Sequence, residues 1–541
     1  MSSERLLRTE SVAKTLQEYI GLGAKFESPP RVFLELGTQA VNGGEIGVRD
    51  IAIATAIQCY SPGISVMKQR RDEKSDKIAQ STLDAGHHTT RMHQTFTWKL
   101  IGVTRSVTHE VFHAYPFYNS EQQSQRYVEA KRGNYLIPTE LTGSQKNFYH
   151  EAADFSNEGY FRLVESLGPE VSRRVKEMYP PSGWEVESTK KRLNEKIQKV
   201  CQEVARYVLP IAQLTVYDHT LSELQLLRLF RASRLNNFSD EARFIIGSMV
   251  GELAKADPTI LKELDTPAES MDKISFNQQS ILERKAEFDA VLGEKMTLLR
   301  PFSPDGRLIL SDAVRNVLAL PRTILPDEES LKVIMDPGVN RLLADVYEVG
   351  MHDPLTGSLR QLGLTFYTRL SHTADSQRQR QRRTPGATPA LEAMYGGIPD
   401  YQTPLVVKEN EALKNQYDEI MSGIYGNVET ALKIGIPTEY ALLLLPNAQT
   451  VRVVESGDLF DWLHRWKQRL CFLAQEEICF ISIEQVEQLG KVLPQAKNML
   501  LALCGIRQKA GVKPRCPEGN RWCGKPVYNW AIDKYKKNRL I

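Results

Sequence analysis

The run Gln122-Gln123-Ser124-Gln125-Arg126-Tyr127 places a hydroxyl two positions before a guanidinium, among amide side chains. Such a set can grip a phosphate with one hydroxyl donor and a two-pronged guanidinium fork. A second concentration of donors is Gln377 to Arg383, which reads QRQRQRR. By itself a run of this kind describes a solvated basic face or a patch for a polyanion. Arg469 stands shortly before Ala474-Gln475-Glu476-Glu477-Ile478, and His87, His88 and His93 gather ahead of the first motif. The histidines lack the further nearby ligands that a metal site requires. No Gly-x-Gly-x-x-Gly opens a helix after a strand, and there is no Walker loop or Gly-x-Ser-x-Gly elbow. Rossmann, P-loop and α/β-hydrolase chemistry therefore have no support.

Those residues must be carried by a large chain. At 541 residues it exceeds one ordinary core and predicts two large domains. An apolar fraction of 41% and a charged fraction of 25% are those of a folded globular protein. The longest apolar stretches, such as Tyr440 to Pro446, are of core length, so no membrane partner is expected. The first residues, MSSERLLRTE, form no apolar signal segment. Seven cysteines predict free thiols in a reducing cytoplasm, and Cys504, Cys516 and Cys523 form no Cys-x-x-Cys pair that would mark zinc. A net charge of +3 makes no demand for a polyanion, and nucleic acid is not an expected partner.

Patterning predicts an amphipathic helix in residues 1–30, ended by Pro29-Pro30, and a strand over Val32 to Leu36. It predicts a helix over 46–60 with a turn at Ser61-Pro62-Gly63, a strand from Gln94 to Val103, and a helix beginning at Val107. Further helices are expected over 185–208, 221–234 and 240–254, then a looser polar helical stretch over 256–297. Pro301, Pro304, Asp305 and Gly306 mark a boundary. The resulting division is a first domain over 1–265, a helical linker over 266–306 and a second domain over 307–541.

The second half repeats the grammar of the first. Leu362 to Tyr367 matches Phe96-Thr97-Trp98, and Ser371 to Arg383 matches Thr104 to Tyr115. Leu432 to Pro437 is taken as the counterpart of Ala205 to Pro210, and Leu459 to Arg469 as that of Leu224 to Arg234. The spacings vary, which describes a diverged duplication rather than a short-period solenoid.

With these motifs in place, the chain resembles the flavin-dependent thymidylate synthases. Their pattern runs H-x-S-x-x-E-H-x-x-F-T-F, S-R-x-x-x-H-[QE], R-H-R and S-Q-x-S-Q-R-Y. The first half supplies His87, Thr89, His93, Phe96 and Thr97, then Thr104, Arg105, Ser106, His109 and Glu110, then Gln122, Ser124, Gln125, Arg126 and Tyr127. Cys59-Tyr60-Ser61 resembles a further family segment, Ala205, Arg206, Leu209 and Pro210 fit a later A-R-x-x-L-P, and Arg234 falls near the family's late helical arginine. Met92 replaces a Glu, and His113-Ala114-Tyr115 stands where the family has R-H-R. The second half offers the complement: Gln377, Arg380 and Arg382 keep the Gln and both outer arginines, Gln381 replaces the central His, and Arg469 with AQEEI fits R-x-x-x-x-A-Q-x-E-I. That half lacks S-Q-R-Y.

The resemblance implies an α+β protein of two tandem thymidylate synthase-like domains, each a mixed sheet with packed long helices. It implies FAD as cofactor, methylene-tetrahydrofolate and NADPH as co-substrates, and reductive methylation of dUMP to dTMP. Family members are homotetramers with sites between subunits, so the expected assembly is a homodimer that mimics the tetramer. The expected substrate-binding residues are Gln122, Ser124, Arg126, Arg206, Gln377, Arg380 and Arg469. Arg380 and Arg469 are the expected catalytic pair, and His87, Thr89, Arg380 and Arg382 the expected flavin contacts. No metal is expected. Each half would contribute the cations its sibling has lost to a cleft shared between them. The alternatives are a related C5 modification of another uridine nucleotide and a catalytically silent nucleotide- or flavin-binding homologue.

Overall fold

A computed structural model describes the chain except residues 1–6, 11, 39–46, 61, 63–72, 115–118, 180–183, 236–237, 259, 265–267, 272–274 and 301. Ser61, Gly63, Tyr115 and Pro301 thus lie outside the described residues. The chain forms two compact units, and neither is one continuous stretch. Unit 1 takes residues 1–155, 210–276 and 427–445; unit 2 takes 156–209, 277–426 and 446–541.

In unit 1, four strands form one sheet: Arg31–Gly37 (β1), Thr95–Thr104 (β2), Asn119–Gln122 (β3) and Leu214–Ser222 (β4), in the order β1-β2-β4-β3. Helix Arg105–Ala114 (α1) follows β2 directly. Helix Gly143–Met178 (α2) begins in unit 1 and continues into unit 2, where Glu187–Ala205 (α3) follows it. Back in unit 1, β4 leads into Glu223–Leu235 (α4) and then Asp240–Ala256 (α5). Alternate residues of β2, among them Trp98 and Leu100, point inward and pack with Leu229 and Phe230 of α4 and Ile245, Met249 and Val250 of α5.

Unit 2 repeats the plan. Thr297–Leu299 (β5), Gly363–Ser371 (β6), Gly386–Ala387 (β7) and Thr450–Asp458 (β8) are ordered β5-β6-β8-β7. His372–Arg378 (α6) follows β6, Glu411–Lys433 (α7) starts in this unit, and Leu459–Arg469 (α8) and Glu476–Val492 (α9) follow β8. Phe366 of β6 packs edge-on against Trp462 of α8 at a centroid distance of 4.7 Å.

The α+β class and the duplicated plan agree with the expectation. The sheets themselves differ from it, because every strand pair among the described residues is antiparallel rather than mixed. The central pair in each sheet is joined through helices that bring the chain back at the far end, which reverses its direction. Two further expectations need correction. Residues 1–30 contain a strand, Leu7–Glu10, paired with Ala268–Met271, before the helix Val12–Gly21. The stretch 256–297 holds that partner strand as well as helix Gln278–Leu292. A partner some 260 residues away (Leu7 with Met271) leaves no local periodicity to read.

The register of the duplication also corrects the sequence matching. Ala205, Leu209, Pro210, Ala212, Gln213 and Glu241 recur as Ala441, Leu445, Pro446, Ala448, Gln449 and Glu477, each 236 positions on. The second copy of the Ala-x-x-x-Leu-Pro turn is therefore Ala441 to Pro446, the segment that feeds β8 just as Ala205 to Pro210 feeds β4. Leu432 to Pro437 is instead the stop of α7: Gly435 takes a φ of +80°, and the Ile436 N–H returns to the Ala431 carbonyl at 3.0 Å. Lys433 pairs with Glu429 on the surface of α7.

The two copies exchange these turns. In unit 1, Ile211 and Ala212 donate their N–H groups to the Leu445 and Leu443 carbonyls at 2.9 and 2.8 Å. In unit 2, Asn447 and Ala448 donate to the Leu209 and Tyr207 carbonyls, both at 2.8 Å. Each strand-to-helix junction is then closed by a buried carboxylate. In unit 1, the Thr104 N–H and hydroxyl donate to Glu241 at 2.8 and 2.6 Å. In unit 2, the Ser371 N–H and hydroxyl donate to Glu477, both at 2.6 Å. The same two hydroxyls accept the first-turn N–H groups of Val107 and Ala374, capping α1 and α6.

Two predictions follow from the clamps. Ser371→Ala removes one donor from a buried carboxylate together with a helix cap, and is expected to cost about 1–3 kcal/mol in urea unfolding. Burial pushes the Glu241 carboxyl up to about 7, against the lowering effect of the Thr104 hydrogen bonds. Its folded-state value thus lies above the unfolded one, so its contribution to stability declines as pH rises from about 4.5 to about 7. Glu241→Gln abolishes that dependence. The stability of the variant relative to wild type should rise from about pH 5 to about pH 8, and a flat difference would contradict the assignment.

Candidate active site

In unit 2, motif residues from distant parts of the chain form a hydrogen-bonded row. Arg469, at the end of α8, donates from Nη2 to the Gln377 carbonyl of α6 at 2.7 Å. The Gln377 amide donates to Gln475 Oε1 at 3.3 Å. Gln475 is the N-cap of α9, accepting the Ile478 N–H, and its own amide donates to the Tyr207 hydroxyl. Tyr207 in turn donates to Glu477. Arg206, the residue before Tyr207, is buried, and its carbonyl accepts the Asn447 amide at 3.1 Å. Burial raises the Glu477 carboxyl above its usual range, against the donors it accepts.

The QRQRQRR run lies at the end of α6 and in the turn beyond it, and only Arg380 of its seven residues is exposed. Gln381 is buried and donates to Gln468 at 2.9 Å, while Arg382 is half-buried. Arg378 is buried in a four-charge group. It pairs with Asp375 and, at 2.8 Å, with Glu455, which also takes Arg465 at 2.8 Å. Burial disfavours the Arg378 charge, but Asp375 and Glu455 outweigh it and the guanidinium is held above its ordinary value. The run is therefore not a uniformly solvated basic face.

Unit 1 holds the other group of expected residues. Gln122, at the end of β3, donates to the Thr108 hydroxyl of α1 at 3.2 Å. The Ser124 hydroxyl accepts the Arg126 N–H at 3.2 Å, and the Ser124 carbonyl accepts the Val128 N–H at 3.0 Å, closing a tight turn. The Arg126 guanidinium carbon lies 5.6 Å from the Tyr127 ring centroid. Arg105 braces this turn, donating to the Gln123 carbonyl at 2.9 Å. His87 and Thr89 are exposed around the start of the short helix His88–Met92. His113 and Ala114 lie on α1.

The structure thus places Arg206, Gln377, Arg380, Arg382 and Arg469 in unit 2, with Arg469 bonded to Gln377, and Gln122, Ser124, Arg126, His87 and Thr89 in unit 1. It does not join Arg126 to Arg380 within one unit. The register sharpens the contrast. Where unit 2 receives Arg206, unit 1 receives Leu442, which is buried; where unit 2 has Arg469, unit 1 has Ser233, one position before Arg234. The positions of Arg380 and Arg382 correspond to His113 and Tyr115.

Sequence reasoning missed Tyr207 as the link between the copies, and it missed the buried pair of Arg91 with Glu223, 3.7 Å apart. Tyr207 carried no repeat signal, since Leu443 stands 236 positions on. Arg91 carried no signal beyond its place in the His-x-Thr segment.

The family model described as thymidylate synthase complementing protein (Thy1) matches residues 47–259 and 354–495. A flavin-dependent thymidylate synthase of Clostridium tetani is 29% identical over 217 residues, covering 39% of this chain and 80% of that protein. One of Nitratidesulfovibrio vulgaris is 25% identical over 221 residues, covering 40% and 81%. Among solved structures, a UMP/dUMP methylase, PolB, from Streptomyces cacaoi bound with 5-Br dUMP is 16% identical and covers 44% of this chain and 94% of its own, with a TM-score of 0.30. The matched stretches make up most of the sequence, one to each copy of the repeated plan, and the chain accordingly belongs to the Thy1 family of thymidylate synthase complementing proteins as a tandem pair.

Proposed function

We propose that this chain is a flavin-dependent enzyme that methylates C5 of dUMP to give dTMP, and that the arginine set of unit 2 is its working site. The observation that carries the reading is the bond from Gln475 to Tyr207. It sets Arg206, from the first copy, in the same unit as Gln377, Arg380, Arg382 and Arg469 of the second.

A nucleotide monophosphate carries close to two negative charges, and buried or half-buried guanidiniums suit it better than ammonium groups. Arg206 is the phosphate-binding residue in this reading. Gln377 holds the nucleotide edge and positions Arg469, whose guanidinium stabilises the negative charge that develops as the ring is activated. Ser124, Gln122 and Arg126 are further nucleotide-phosphate residues, and His87 and Thr89 further flavin contacts.

The donor set also fits a flavin dinucleotide. Its diphosphate needs cationic donors on an accessible turn, and Arg380, exposed, and Arg382, half-buried, supply two guanidiniums two residues apart. When bound, FAD supplies the hydride that completes the methyl group. Methylene-tetrahydrofolate gives the carbon, NADPH gives the two electrons, and C5 of the pyrimidine releases a proton. The assembly proposed is a homodimer.

Release of tritium from C5-labelled dUMP tests the nucleotide roles. Arg469→Lys keeps the charge but loses the fork, and should lower turnover about 10²-fold with little change in KM. Arg206→Ala should instead weaken dUMP binding by about tenfold or more. Equal loss in both parameters for both variants, or no loss, would overturn the roles. The double variant Arg380→Ala/Arg382→Ala should purify with less flavin and bind added FAD about tenfold more weakly, followed by flavin absorbance and fluorescence. Unchanged flavin content would remove these arginines from the cofactor site.

A further inference from the structure

The last part of unit 2 lies beyond the residues matched to the family, which end at 495. Residues 505–541 hold ten Lys and Arg against two Asp and Glu, although the whole chain is only +3, so the preceding sequence is acidic on balance. The segment also carries Trp522, Tyr528, Trp530 and Tyr535. An interleaving of cations and aromatics is the composition that recognises phosphate together with a flat base.

The fold gathers part of this set around a wide-mouthed recess of about 470 Å³, lined among others by Lys513, Arg515, Cys516, Gly519, Trp522 and Tyr528. That volume lies within the roughly 300–1,000 Å³ range of small-molecule sites. The lining has two cations and no acid among the described residues. The Arg515 guanidinium lies 5.2 Å from the Tyr528 ring centroid, and Trp522 is 40% exposed, so an indole face remains open. At Gly519 an added Cβ would meet nothing within 4 Å, so this part of the wall is not closed by protein.

The walls are held from behind. Arg507 donates to the Pro514 carbonyl at 2.8 Å and to the Ala344 carbonyl at 3.0 Å. The Trp522 indole N–H donates to the Lys525 carbonyl at 3.2 Å. Tyr179 of unit 2 donates to the Cys523 carbonyl at 2.6 Å, and the Lys525 ammonium sits 4.7 Å from the Tyr179 ring centroid. A site built on fixed backbone pays less ordering entropy when a ligand arrives.

We propose that this recess is a second ligand site, separate from the Arg206–Arg469 row, and that it takes a single nucleoside phosphate. Lys513 and Arg515 hold the phosphate and Trp522 stacks on the base. The volume of the recess matches one nucleotide rather than a strand of nucleic acid.

The test uses the full chain loaded with FAD, in equilibrium dialysis with labelled dUMP and dTMP. Two classes of nucleotide site are expected in wild type. Lys513→Ala/Arg515→Ala should weaken one class by about tenfold or more while C5 tritium release stays within about twofold of wild type. Trp522→Leu should weaken the same class, which guards against a purely electrostatic effect. Arg206→Ala should retain this class, so a failure of the proposed catalytic site leaves the present proposal standing. A single class that Lys513→Ala/Arg515→Ala leaves intact would overturn it, as would two classes that neither variant changes. Inorganic phosphate competing as well as dUMP would reduce the site to an anion hole. Oligothymidylate binding there in place of mononucleotides would make it a nucleic-acid surface. Either result would reject the proposal.

Discussion

The Glu477 carboxylate is buried, and a buried carboxylate must be supplied with donors or it costs several kcal/mol. Its donors come from two places far apart in sequence, the Ser371 N–H and hydroxyl and the Tyr207 hydroxyl. Satisfying one group therefore fixes two things together. It sets where β6 ends and α6 begins, which decides that Arg378 turns inward while Arg380 reaches solvent. It also draws the turn of the first copy into the second unit, and Arg206 with it. In unit 1 Glu241 clamps Thr104 in the same way, but the residue corresponding to Tyr207 is Leu443, which cannot donate. The junction survives there without the polar link.

A duplicated chain that exchanges turns can diverge in a way a single copy cannot. Each unit is completed by a segment of the other copy, so a change in one copy alters the opposite unit. Leu442 replaces an arginine in the turn that unit 1 receives, and the R-H-R positions of unit 1 have also become His113-Ala114-Tyr115. The arginines that remain, Arg206, Arg380, Arg382 and Arg469, belong to one unit although they come from both copies. The arginines absent from unit 1 are thus those at matching positions of the repeat rather than at scattered ones.

Much of this was legible in the sequence. The β2 strand, the α1 and α6 starts, the helices over 185–208 and 240–254, and the AQEEI motif all carry strong local pattern. The 36-residue helix α2 was not legible, because Gly159, Gly168 and Pro169 read as breaks. Packing overrides that reading: a Cβ at Gly159 would come within 2.9 Å of the Ile420 side chain, so the glycine marks close helix approach rather than a stop. Strands β4 and β8 were hidden for a different reason. Their alternation is obscured by helix starts that follow without a loop residue, Ser222 to Glu223 and Asp458 to Leu459. The second Ala-x-x-x-Leu-Pro turn was missed because Leu442 had replaced the arginine that would have flagged it. The distribution of the candidate residues between units was not legible, since exchange of turns leaves no trace in local sequence.

The buried charges of unit 2 bear on what the rest of that unit is built to hold. Arg378, Asp375, Glu455 and Arg465 are each no more than 2% exposed, two of either sign. In the register of the duplication, unit 1 fills the same positions with Val111, Thr108, His219 and Leu229, so the fold does not need the charges. Nor are buried ion pairs an efficient source of stability, because desolvation cancels most of the attraction. Their directionality is what apolar packing lacks. Arg378 also donates to the Thr388 hydroxyl at 3.1 Å, and Arg465 to the Thr384 hydroxyl at 3.3 Å. Both threonines lie in the loop that follows Arg380 and Arg382. The network therefore ties that loop to β8 and α8 at two points. Unit 1 has neither arginines at the positions of Arg380 and Arg382 nor these buried acid–guanidinium pairs, so the two guanidiniums and the rigid footing of their loop occur together in one unit and are absent together from the other.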